Sequence, residues 1–125
     1  RPAVSARATT QAVRAAASPT PRAETRLERG DTHVQLGSFL SEAAARAAWS
    51  TMQQRHPMLK DADLLITRAQ VNGRTYHRVA AASLSAMSAQ SLCAAVRARG
   101  TGCFAYAANR VLPGTVGTVT RIAAR

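Results

Sequence analysis

The chain has 125 residues, 17 Lys+Arg against 6 Asp+Glu, a formal net charge of +11 and only 4% aromatic residues. That length supports one small core with tails and excludes two independent domains. All the Lys+Arg cations except Lys60 are arginine, a surface that favours polyanions such as nucleic acid, anionic lipid or acidic polysaccharide, although a GC-rich genome would leave the same arginine excess.

No apolar run approaches the roughly 20 residues that span a bilayer, so no membrane contact is expected of this segment. The chain starts at Arg1, as a processed chain or a piece of a longer protein would. Residues 1 to 31 are rich in Ala, Arg, Thr, Ser and Pro and contain no aromatic residue. Such a segment buries too little apolar surface to offset its ordering entropy, and it reads as a disordered tether. The domain proper is expected over residues 32 to 108.

Residues 33 to 38 of "HVQLGSFLS" alternate like a strand. Ser41 then caps a helix whose apolar stripe is Ala44, Ala45, Ala48, Trp49 and Met52, with Trp49 a core residue rather than a ligand. The helix ends near His56, because Pro57 disfavours helical geometry in the residue before it. Residues 63 to 71, "DLLITRAQV", are strand-like, and Asn72-Gly73 is a two-residue hairpin turn into a strand from Arg74 to Ala81. A second helix, Ser85 to Arg99, carries Ala89, Leu92, Cys93 and Val96 on one face and stops at Gly100, and a strand from Gly102 to Ala107 follows. Residues 109 to 125, broken by Pro113, Gly114 and Gly117, form a C-terminal tail or a loosely docked strand.

The order βαββαβ is the split-βαβ arrangement. It predicts an α+β, ferredoxin-like (RNP-like) sandwich, with a four-stranded antiparallel sheet, two helices on one face and the other face open. An uncovered sheet face is either polar or used. If Val34, Leu36, Val79 and Ala81 face the helices, then Gln35, Tyr76, Arg78 and Ala80 face the open side. Cys93 lies on the buried helical stripe, so a Cys103 that meets it faces inward and leaves Phe104 and Tyr106 outside. Ser38 then sits at the rim. The alternatives are an inverted phase of the last strand, with Phe104 and Tyr106 inside, and Gln35 and Ser38 as merely solvated strand residues.

"HVQLGSFLSEAAARAAW", "NGRTYHRVAAA" and "AQSLCAAVRARGTGCFAY" together resemble the SPOR domain, the sporulation-related repeat of bacterial cell-envelope proteins. The match rests on Val34, Gln35, Gly37, Phe39, Arg78, Val79 and Gly100. Two positions depart from it: His77 stands where the family has a tyrosine, and Ala82 where it often has a glycine.

The resemblance implies non-catalytic binding of peptidoglycan glycan strands, specifically strands stripped of stem peptides at division sites. It also implies a periplasmic or septal location, with other division proteins as further candidate partners, and a monomer. Its binding surface maps onto Gln35, Ser38, Tyr76 and Arg78, beside which Phe104 and Tyr106 offer aromatic surface. Arg78 would pair with the lactyl carboxylates that amidases expose. Replacing Gln35 or Arg78 with alanine would leave stability nearly unchanged. In an oxidising periplasm Cys93 and Cys103 would form a disulfide; otherwise they are two small buried thiols.

Other chemistry finds less support. The three histidines lack metal-ligand spacing with the cysteines, so neither a metal site nor a cofactor is expected. A His77/Cys103 nucleophile pair has no nearby carboxylate to orient it, and catalysis is expected from an attached upstream domain if at all. The remaining alternative is an RRM-like single-stranded nucleic-acid module, which shares the βαββαβ order, but the RRM signature is absent from "RTYHRVAA" and no nucleic acid is expected as partner.

Overall fold

A computed structural model describes residues 27 to 124; most of the expected tether lies outside the described residues. The elements in chain order are β1 (Arg29–Phe39), α1 (Glu42–Arg55), a short 3-10 turn (Pro57–Asp61), β2 (Asp63–Val71), β3 (Arg74–Leu84), α2 (Ala86–Ala98), β4 (Phe104–Ala107) and β5 (Thr115–Ile122). The class is the α+β sandwich expected, with one strand more: the sheet is five-stranded and antiparallel, in the order β4-β1-β3-β2-β5.

The helices begin where short polar side chains can satisfy their free N–H groups. Ser41 Oγ accepts from Ala44 N (3.0 Å) and Ser85 Oγ from Ser88 N (3.0 Å). Ala45 and Trp49 of α1 and Ala89, Leu92, Cys93 and Val96 of α2 are buried. They pack on Val34 and Leu36 of β1, Leu64 and Ile66 of β2 and Val79 and Ala81 of β3, and these residues make one core. Asn72 (φ 55°) and Gly73 (φ 77°) both take positive φ between the paired β2 and β3, as a primed hairpin turn requires.

β1 starts at Arg29, before the domain boundary expected at residue 32. Its first residues are tied down. Ser85 N donates to Glu28 O (2.7 Å), Glu28 N donates to Ser88 Oγ (2.7 Å), and Arg29 Nη2 reaches Asp63 Oδ2 (2.7 Å).

The face away from the helices is not open along its length. Leu65, Ala80 and Ala82 form a second buried cluster there, and Ala69 is also buried. β4 and β5 lie at opposite edges of the sheet, so residues 108 to 114 must cross it. They cross on the helix-free face. Leu112 is buried, Arg78 Nη2 donates to Pro113 O (2.8 Å), and Gln70 N donates to Gly114 O (2.8 Å). The approach at Gly114 is close enough that a Cβ there would stand 2.7 Å from Gln70 O.

Candidate functional site

Strict alternation along β1 would place Gln35, Gly37 and Phe39 on one face and Leu36 and Ser38 on the other. A bulge breaks that rule, since Gln35 pairs with Ala80 but Gly37 with Val79, so that two residues of β1 oppose one step of β3. Beyond it, Ser38 pairs with Arg78 and Phe39 with His77. Gln35 and Ser38 therefore share the helix-free face, while Phe39 packs against the main core. Gly37 accommodates this, for a Cβ there would lie 3.1 Å from the Phe39 ring.

β4 carries the aromatic pair on the same face. Phe104 pairs with Gln35 and Tyr106 with His33, and in an antiparallel ladder paired residues project together. The Phe104 and Tyr106 rings stack at 6.0 Å, and Tyr106 meets the His33 ring edge-on at 5.5 Å. Cys93 and Cys103 are joined in a disulfide (Cα–Cα 5.5 Å) that fixes the approach of β4 to α2. Cys103 turns to the core and Phe104 away from it.

Gln35, Ser38, Arg78 and Phe104 converge on one shallow cavity of about 300 Å³, completed by Arg110, Leu112 and Pro113 of the crossing segment. Tyr106 lines a neighbouring cavity of about 210 Å³ with His33, Thr67, Arg110, Thr118 and Arg121. Tyr76 is on the same face as Arg78, opposite Ala69, but borders neither cavity.

Among the described residues no carboxylate lines either cavity, whereas three arginines and a histidine do. Arg78 is partly engaged already. Besides Pro113 O it donates to Thr115 Oγ1 (3.3 Å), and its remaining N–H groups have no partner among the described residues. Burial pushes the Tyr106 hydroxyl above the usual tyrosine range against the opposing effect of Arg78, so it stays a proton donor at neutral pH. Burial, then Arg121, holds His33 below the usual histidine range, with the Thr32 backbone opposing, and the ring is neutral. His33 Nδ1 accepts from Ser83 N (3.1 Å), which places its proton on Nε2.

Sequence reasoning missed His33, Arg110, Leu112 and Arg121 as lining residues. His33 lies in the expected strand, but faces were assigned there only from Val34 onward, and the other three belong to the segment left open between tail and strand. The β-branched run of "GTVGTVTRI" was the available signal for β5; Arg110 had none.

Among the described residues there is no group of three or more His, Cys, Asp or Glu placed to hold a metal ion, and no helix long and apolar enough to cross a membrane. No curated protein and no solved structure matches the chain. The model of one protein family, the SPOR domain, matches residues 28–107, which span β1 to β4 and include Gln35, Ser38, Tyr76, Arg78, Phe104 and Tyr106. The chain belongs to the SPOR domain family, the peptidoglycan-binding modules of bacterial cell-envelope proteins.

Proposed function

We propose that this domain binds glycan strands of peptidoglycan from which stem peptides have been removed, and thereby directs a parent envelope protein to division sites where amidases act. The observation that carries the reading is the cavity shared by Gln35, Ser38, Arg78 and Phe104, roofed on one side by the crossing segment. A flat aromatic ring suits the C–H face of a sugar, the amide of Gln35 suits an N-acetyl group, and a few convergent polar groups on an apolar floor are what orients a small ligand. An intact stem peptide would collide with the sheet or with the crossing segment. Its removal exposes a lactyl carboxylate on each muramic acid, which a guanidinium pairs with through charge-assisted hydrogen bonds.

The test is retention of the protein by sacculi before and after amidase digestion, for the parent and for Gln35→Ala. Among the described residues Gln35 makes no side-chain hydrogen bond, so the variant should keep its stability within about 0.5 kcal/mol and lose retention. Parent retention should rise with digestion. Equal retention of the parent by both sacculi, or full retention of Gln35→Ala, contradicts the reading.

A further inference from the structure

The segment that follows the matched family residues builds a second cavity on the same face. Resting on the glycan reading above, we propose that this cavity is a carboxylate subsite for the same polymer, with Arg110 and Arg121 as its cations and His33 and Tyr106 as its floor.

Four observations support it. The cavity, about 210 Å³, lies beside the first one, and Arg110 and Leu112 line both. That volume falls below the roughly 300 Å³ at which pockets enclose a drug-sized ligand, so it suits one substituent of a longer chain. His33 is only 6% exposed and its ring is fixed by the bond from Ser83 N to Nδ1, so the polar floor is rigid.

Arg121 is positioned as well, with Nη2 donating to Ser83 Oγ (2.9 Å), and its other N–H groups remain for a ligand. Ser83 itself sits at φ 62°, an uncommon conformation for a serine, and it serves both the His33 and the Arg121 contacts. Finally, the lining holds no acid among the described residues, and the hydroxyls of Thr67 and Thr118 complete a set of anion-compatible donors.

A repeating polymer with one carboxylate per disaccharide presents charges at regular intervals. Tyr106 faces His33 in this cavity and stacks on Phe104 of the first, so a single aromatic ladder joins the two. Arg110 stands between them. The added segment thus extends the family's sheet face into two adjoining subsites, and affinity comes from engaging both.

The experiment compares the full chain with Arg121→Gln, Arg110→Gln and, as a control for net charge on the helix side, Lys60→Gln. Binding is measured to amidase-digested sacculi and to the same material with its carboxylates converted to methylamides. Each cavity arginine should cost about five- to tenfold in affinity for the untreated glycan, the size of a partly exposed charge-assisted contact. On the methylamide material, where Arg78 and Arg110 lose their carboxylates too, both proteins should bind more weakly and the parent should bind no better than Arg121→Gln; an unchanged Tm shows that the variant is folded. Parental affinity in Arg121→Gln, an equal loss on both materials, or the same loss in Lys60→Gln overturns the subsite. Parent binding that does not rise on amidase digestion refutes the glycan reading and the subsite with it; a rise with Arg121→Gln unaffected removes the subsite alone.

Discussion

Arg78→Ala separates the structural role of the crossing segment from ligand binding. In the sequence Arg78 reads as an outward-facing residue whose loss would barely affect the fold. In the structure it holds the crossing segment at two points, Pro113 O at 2.8 Å and Thr115 Oγ1 at 3.3 Å. A hydrogen bond from a charged donor contributes about 1.5 to 3 kcal/mol when well shielded, and exposure at Pro113 reduces the first to about 1 kcal/mol. The longer bond and the packing of the arginine stem add a few tenths each, so about 1 to 2 kcal/mol is expected overall. For a domain of this size that is a fall in Tm of roughly 4 to 15 °C.

The loss should be local as well as global. Gln70 N–H is bonded to Gly114 O, so its hydrogen exchange reports whether the segment is seated on β2. Opening made easier by about 1.4 kcal/mol accelerates that exchange about tenfold, while amides of β1 and α2 respond only through the global term. Gln35→Ala should show neither effect. An Arg78→Ala protein with an unchanged Tm and unchanged Gln70 protection would mean that the segment is held by β5 alone and that the arginine is free for ligand.

Asp63 joins both ends of the domain: its carboxylate accepts from Arg29 at 2.7 Å and from Ala124 N at 2.9 Å. Burial alone would raise its pKa, but these two contacts outweigh it and hold the group below the ordinary aspartate value. A depressed folded pKa means stability that is complete above the unfolded value, near 3.8, and lost as pH falls through the folded one. Asp63→Asn should therefore cost about 1 kcal/mol at pH 7, and urea titrations should show the difference from the parent shrinking as pH falls below 3.8; a constant difference would assign the effect to packing. Burial lowers the pKa of His33 and His56, so unfolding midpoints of both proteins should also begin to fall as pH drops below 6.5, the usual histidine value. Reduction of the Cys93–Cys103 bond, which closes a short loop, should destabilise the domain by up to about 3 kcal/mol, and thiol titration of the denatured, unreduced protein should find no free thiol.

The helices, the hairpin and the face assigned to Gln35, Arg78, Phe104 and Tyr106 were legible because each rests on local spacing: stripes at helical period, Asn72-Gly73 with positive φ, and Cys93 setting the phase of β4. Two features were not local. The bulge after Gln35 violates the period of two on which a strand's faces are read, so strict alternation could place Ser38 no nearer than the rim of the face that Gln35 and Ser38 share. β5 was obscured by Gly114 and Gly117, yet its partner carried the clue. Leu64, Leu65 and Ile66 are consecutive and all buried, whereas a strand exposed on one face would alternate; three apolar residues in a row on β2 required cover on both sides. With β5 seated beside β2, the rest follows from topology. β4 lies at the far edge, the helices occupy one face, and the connection from β4 to β5 can only cross the other. A surface that would be open in a four-stranded domain is here divided by residues 108 to 114 into two walled cavities, so this chain's extension past the matched residues sets the shape of its sheet face.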